Sequence, residues 1–263
     1  MPALVWVNTG LTLRNDRDFS MPLPLTEPYA SALESAEAFI HERYAPRGII
    51  VSGTIVRGSP HATSDLDFMV IHDATWRQRV QRFFNGVPAE MFVNPEYQMR
   101  RTIEREPADG RPVMSHLIAT GEIVHDPEGV MVSLQGLARQ ILDAGPHVSA
   151  ETLIQRTYSI ATGFEDASDI AGIDPDRAHS IVTETLIEAA KLHFLIQGRW
   201  LPRYKTLLSD LDAFDPELGA GVRAALRATD LDERLILAAP VIERILGASG
   251  FFEWESEPQE LTE

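Results

Sequence analysis

Two aspartates, Asp65 and Asp67, stand two residues apart in the run Ser64-Asp65-Leu66-Asp67-Phe68-Met69-Val70, with ten residues between them and the upstream pair Gly53-Thr54. Successive side chains of a strand alternate faces, so the two carboxylates point one way while Leu66 and Phe68 point the other. The apolar continuation through Ile71 marks a strand covered on both sides. Like charges therefore crowd together where water is scarce. That is costly unless a cation neutralises them, and hard oxygen donors on one face suit Mg²⁺ or Mn²⁺ better than zinc. The competing explanation is an ion pair with a nearby arginine such as Arg57.

Glu90 is a third candidate, the one charged residue in Val87-Pro88-Ala89-Glu90-Met91-Phe92-Val93. It either joins the aspartates or caps and pairs at a strand edge. Backbone N–H groups of the Gly53-Thr54 turn, continued into a helical start, would make an anion site.

Positioning these groups needs strands. An amphipathic stretch, Glu27 to Tyr44, reads as a helix feeding the short strand Arg47 to Ser52, which ends at Gly53. Leu66 to Ile71 forms the next strand. Asp73 then caps a helix through Trp76, Val80 and Phe83 that stops at Asn85-Gly86. Val87 to Val93 follows as a strand whose Pro88 implies an edge position or a strand beginning. Helices over Glu96–Arg105 and Val113–Thr120 precede a short strand and turn, Glu122 to Pro127. Beyond Gly129 the pattern is helical throughout: Val130–Ala144, Ala150–Ile170, Asp176–Gln197, Tyr204–Ala213, Pro216–Ala228 and Leu231–Leu246. Gly145-Pro146, Gly172-Ile173-Asp174-Pro175, Gly198 and Asp215-Pro216 separate these helices. The expected fold class is an α/β (α+β) domain over 1–129, an all-α helical domain over 130–252 and an acidic tail over 253–263.

Composition narrows the chemistry. The 263 residues include no cysteine, which excludes disulfides, thiolate zinc sites and a cysteine nucleophile. The net charge of −16 argues against a long phosphate-tracking groove and hence against a nucleic-acid partner. Residues 150–263 alone carry −11, a field that suits a small cationic ligand or simply keeps the surface soluble. No apolar run approaches a membrane span, and Met1 to Phe19 holds Asn, Asp and Arg where a leader needs an apolar stretch. The expectation is a cytoplasmic protein with no membrane partner.

Gly53-Thr54, the ten-residue spacer and Asp65-Leu66-Asp67 resemble the nucleotidyltransferase superfamily typified by DNA polymerase β. Its signature is a glycine-serine turn, a spacer, and Asp-x-Asp or Asp-x-Glu on the next strand. Thr54 stands where serine is usual; it keeps a hydroxyl for a phosphate oxygen and adds a methyl. Gly58-Ser59 is a second glycine-serine pair, but only five residues then remain before Asp65, too few for the spacer. Arg57-Gly58 and Ser64 are similar to small bacterial members, among them antibiotic (aminoglycoside-type) nucleotidyltransferases with a helical C-terminal domain.

The resemblance implies a mixed-sheet nucleotidyltransferase domain followed by a helical bundle. It implies Asp65, Asp67 and Glu90 as catalytic and metal-binding residues, Glu90 serving as ligand, as general base, or as both. Gly53, Thr54, Arg57 and Ser64 would contact the nucleotide, and Mg²⁺ (or Mn²⁺) with an NTP, ATP foremost, would be required. The expected partners are that triphosphate and a small-molecule acceptor. A lysine from the helical half is expected at the triphosphate, and Lys205 is placed for it, although a surface role explains it equally well. Lys191, three residues after Glu188, reads as a surface pair. Trp200 and Tyr204 read as core before stacking platforms. His41-Glu42 lacks a zincin's second histidine, and His193 reads as packed. A transferase acting on protein or RNA and a catalytically silent nucleotide binder are the remaining alternatives.

Overall fold

A computed structural model describes residues 23–248, 250–256 and 258. Met1–Phe19 and most of the acidic stretch 253–263 thus fall outside the described residues. The chain divides into two compact units that interleave in sequence: Met1–Met99 with Thr120–Gln135, and Arg100–Ala119 with Gly136–Glu263.

The first unit is built on strands β1 (Gly48–Ser52), β2 (Leu66–His72), β3 (Gln78–Phe84), β4 (Val87–Pro95) and β5 (Glu122–His125). They form a mixed sheet in the order β3-β4-β2-β1-β5. The β2–β4 pair is parallel, and the β1–β2, β1–β5 and β3–β4 pairs are antiparallel. Helix α1 (Tyr29–Tyr44) lays Ala32, Leu33, Ala36, Ile40 and Tyr44 on one sheet face. That face supplies Ile49, Val51, Leu66, Phe68, Val70, Val87, Ala89, Met91 and Val93 to a common core. By strand alternation Ser52, Asp67 and Glu90 belong to the opposite face.

The segment expected as a helix after Asp73 is instead β3, an outer strand. Trp76, Val80 and Phe83 fit a helical period, but Gln78–Phe84 pairs along its length with β4. Asn85-Gly86 is the hairpin turn, with φ of 48° and 82°. Two successive left-handed residues define the two-residue turn whose twist matches paired strands.

This hairpin also moves β4 to the sheet interior, so Pro88 marks a strand beginning and not an edge. The β2–β4 ladder starts at Leu66↔Ala89, one residue past Pro88, and Pro88 faces Phe83 one step beyond the closing pair Phe84↔Val87. In an antiparallel hairpin that step is a non-hydrogen-bonded pair, so the missing N–H is not required.

Helices α2 (Glu96–Asp109), α3 (Val113–Thr120) and α4 (Val130–Ala144) follow the sheet strands, α2 and α4 each running from the first unit into the second. The second unit holds α5 (Ala150–Ile170), α6 (Pro175–Ile196), α7 (Leu207–Phe214), α8 (Pro216–Arg227) and α9 (Leu231–Leu246). Four of these helices start on a side-chain cap: Ser149, Asp174, Asp215 and Asp230 accept from the N–H of Thr152, Arg177, Leu218 and Glu233. Pro175 and Pro216 occupy first turns, where their missing N–H costs nothing. A core of Phe164, Val182, Leu186, Leu192, Leu211, Val222 and Ile242 joins the five helices. Helix α7 begins at Leu207, three residues later than expected, because Tyr204 to Thr206 form a turn. No described helix is long and apolar enough to cross a membrane.

Candidate functional site

Sheet register brings the expected carboxylates together. Asp67 is the partner of Glu90 across the parallel β2–β4 pair, and Asp65 lies at the mouth of β2. Each of Asp65, Asp67 and Glu90 offers an oxygen within 4.8 Å of the others, and all three are half-buried.

Gly53 fits the turn between β1 and this cluster for two reasons. Its φ is +109°, and a Cβ there would lie 2.9 Å from the Asp65 carbonyl and 3.3 Å from Asp67 Oδ2. Only glycine combines that dihedral with so close a backbone approach. The helical start expected after Gly53-Thr54 is a single turn: the N–H groups of Arg57 and Ser59 donate to Gly53 and Thr54, and Gly58 (φ 73°) ends it. Thr54 Oγ1 and Ser64 Oγ lie 2.6 Å apart, closing the spacer on itself, and Ser64 Oγ also accepts from the His61 N–H at 2.7 Å.

Arg57 is exposed, with Nη1 3.5 Å from Thr120 Oγ1. Lys205 is exposed in the second unit, next to Tyr204, itself exposed and not core. Lys191 pairs with Glu188 as expected, and its Nζ lies 5.0 Å from the Tyr204 ring centre. Trp200 donates its indole N–H to the Leu142 carbonyl. His193 is packed against Phe214, 3.2 Å from an Asp215 oxygen, and burial holds its pKa below the ordinary value.

Three further residues belong to the site. Arg79 Nε donates to Glu90 Oε1, and Gln81 Nε2 donates to the same oxygen at 3.0 Å. Gln81 stands directly opposite Glu90 in register, and Arg79 is its diagonal neighbour. Bonding to Glu90, with the negative field of Glu90 and Asp67, raises the Arg79 pKa above its usual value despite some desolvation. Ser52 is the register partner of Asp67 on the other side, fully buried, with an Oγ that has no hydrogen-bond partner. Arg79 and Gln81 escape a reading that makes 73–84 a helix; Asn85-Gly86 between two strands is the signal that recovers them. Nothing marks Ser52 except its place before Gly53.

The donor set fits a divalent metal. Three carboxylates converge, Arg79 pairs with Glu90, all donors are hard oxygens, and the buried hydroxyl of Ser52 stands in the same row without a partner. An orphaned polar atom beside a charge cluster is where a bound ligand or its water completes the hydrogen bonding.

No family model matches the chain, and no curated protein matches it. Among solved structures, the chain is similar in fold to a nucleotidyltransferase-like protein from Exiguobacterium sibiricum 255-15. The TM-score is 0.53 at 18% identity, over 81% of this chain and 74% of that one. The fold is therefore like that of this neighbour: a mixed-sheet α/β domain with a helical region.

Proposed function

We propose that the chain is a divalent-metal-dependent nucleotidyltransferase that moves a nucleoside monophosphate, AMP foremost, from an NTP to a hydroxyl of a small cationic acceptor of the aminoglycoside kind. The observation that carries this reading is the convergence of Asp65, Asp67 and Glu90 beside the Gly53 turn. Mg²⁺ or Mn²⁺ held by these carboxylates would polarise the α-phosphate and offset the charge of the leaving pyrophosphate.

Asp65 and Asp67 supply the fixed oxygens. Glu90 has Oε1 engaged by Arg79 and Gln81, which leaves Oε2 to share in holding the metal or to take the proton of the acceptor hydroxyl. Gly53 lets the backbone approach a phosphate without a side chain in the way. Whichever of Thr54 and Ser64 donates to the other, the second hydroxyl keeps a proton for a phosphate oxygen. Arg57, on the loop that carries Thr54, is the cation assigned to the triphosphate. The −11 charge of residues 150–263 supports a cationic acceptor by steering.

The test is incubation with α-³²P-labelled ATP or GTP, Mg²⁺ and a panel of aminoglycosides, other small hydroxylated compounds, tRNA and cell lysate, with products resolved by size. Label on a small cation is the expected outcome. Label on protein or RNA would replace the acceptor assignment, and nucleotide binding without any transfer would replace catalysis with a silent binder.

A further inference from the structure

We infer that Arg79 is a resident counter-cation of the acidic cluster: it occupies the Glu90 corner in the ligand-free chain, so that divalent metal enters together with the triphosphate and not ahead of it. This rests on the proposed nucleotidyl transfer and adds an order of binding to it.

The geometry is specific. Arg79 Nε meets Glu90 Oε1, an oxygen that Gln81 also holds, and the guanidinium carbon lies 5.2 Å from the centre of the Phe92 ring. Glu90 is thereby gripped by two side chains of one strand. The Arg79 side chain is 65% exposed, whereas that of Glu90 is 12% exposed. The cation can leave for solvent or for another anion with little desolvation, while the carboxylate stays fixed. Because β3 is the outer strand, this exchange needs a side-chain rotation and no movement of the sheet.

A dication arriving alone is repelled by the guanidinium and must share Glu90 with it. A unit charge about 5 Å from a dication, in a water-like dielectric, weakens its binding about tenfold. A triphosphate changes the competition, since its oxygens accept from an arginine in the same forked geometry as a carboxylate and carry more charge. Arg79 moves to the phosphate, Gln81 keeps its bond to Glu90 Oε1, and the Glu90 carboxylate then faces the metal without a competing guanidinium.

The test is Mn²⁺ binding, followed by the electron paramagnetic resonance of free Mn²⁺ and by calorimetry, with and without α,β-methylene-ATP. Wild type is compared with Arg79→Gln, with Arg79→Met, which keeps the stem over Phe92, and with Arg79→Lys, which keeps the charge; circular dichroism verifies the fold of each. Both neutral variants are expected to bind Mn²⁺ about tenfold more tightly than wild type without nucleotide. The nucleotide analogue closes that gap, and Arg79→Lys tracks wild type. Neutral variants that bind Mn²⁺ no more tightly, or a lysine variant that behaves like them, would overturn the inference and leave Arg79 as a brace between β3 and β4. If wild type still transfers label in that case, the transferase reading stands and only the order of binding falls. Wild type that neither binds Mn²⁺ nor transfers label overturns both.

Discussion

The two units use acidic side chains in opposite ways. In the helical unit Asp174, Asp215 and Asp230 each satisfy the orphan N–H groups of a helix start. Asp212 is bound by Arg223 through three hydrogen bonds, which lowers its pKa, and Asp215 also holds His193 and Arg244. In the sheet unit Asp65, Asp67 and Glu90 cap no helix; they are brought together at the β2–β4 pair, with Arg79 against Glu90. Acidity that folding explains and acidity that folding must tolerate are therefore separable in one molecule. Only the second kind points to a ligand, even though the helical half carries more of the net charge.

The sharpest way to break this contrast is Asp67→Asn. Transfer should fall by about a thousandfold or more, since the lost metal ligand carries several kcal/mol of transition-state stabilisation. The thermal midpoint should hold or rise as like-charge crowding is relieved, and a melt beside the label assay measures both. Full transfer by the variant would remove the metal assignment.

Gly53→Ala tests the turn that brings the cluster together. A Cβ 2.9 Å from the Asp65 carbonyl, on a backbone at φ +109°, should cost about 1–3 kcal/mol and displace Asp65 and Asp67. Urea titration reads the first effect, and Mn²⁺ affinity the second.

In the helical unit the expectation is reversed. Asp215→Ala loses a cap and the Arg244 ion pair, at about 2 kcal/mol, and Asp230→Ala loses a cap alone, at about 1 kcal/mol. Neither should change Mn²⁺ affinity per folded molecule; a change would mean that these acids do more than start helices.

The smallest effect is in pH. Desolvation holds the pKa of buried His72 and of half-buried His193 below the ordinary 6.5. The unfolded chain therefore takes up protons first as pH falls. The stability these histidines contribute is complete above about pH 6.5 and is lost progressively below it. His72→Gln should flatten that loss in urea titrations run from pH 7.5 to 5, whereas an unchanged slope would clear His72.

Much of this was readable in the residues. Helices α3, α4, α5 and α9 begin and end as the sequence implies, because caps, prolines and glycines punctuate them. Asp65 and Asp67 were legible from alternation on a strand covered on both faces. β3 was not, since it lies at an edge where Gln78, Arg79, Gln81, Arg82 and Phe83 are all exposed, and a strand wet on both faces has no apolar alternation to show. Its misreading carried Arg79 and Gln81 away with it. The pairing of Glu90 with Asp67 is a tertiary fact: two strands separated by a hairpin meet in parallel, and no local pattern specifies that offset.

The order in which the chain is made acquires a meaning from the sheet. Every residue of the carboxylate cluster precedes Pro95, and the last strand ends at His125. At a synthesis rate of about 5–20 residues per second, the remaining helices take on the order of ten seconds longer to emerge. The ladders join strands to strands, so the carboxylate cluster and Arg79, eleven positions from Glu90, lie together in a segment made before the later helices.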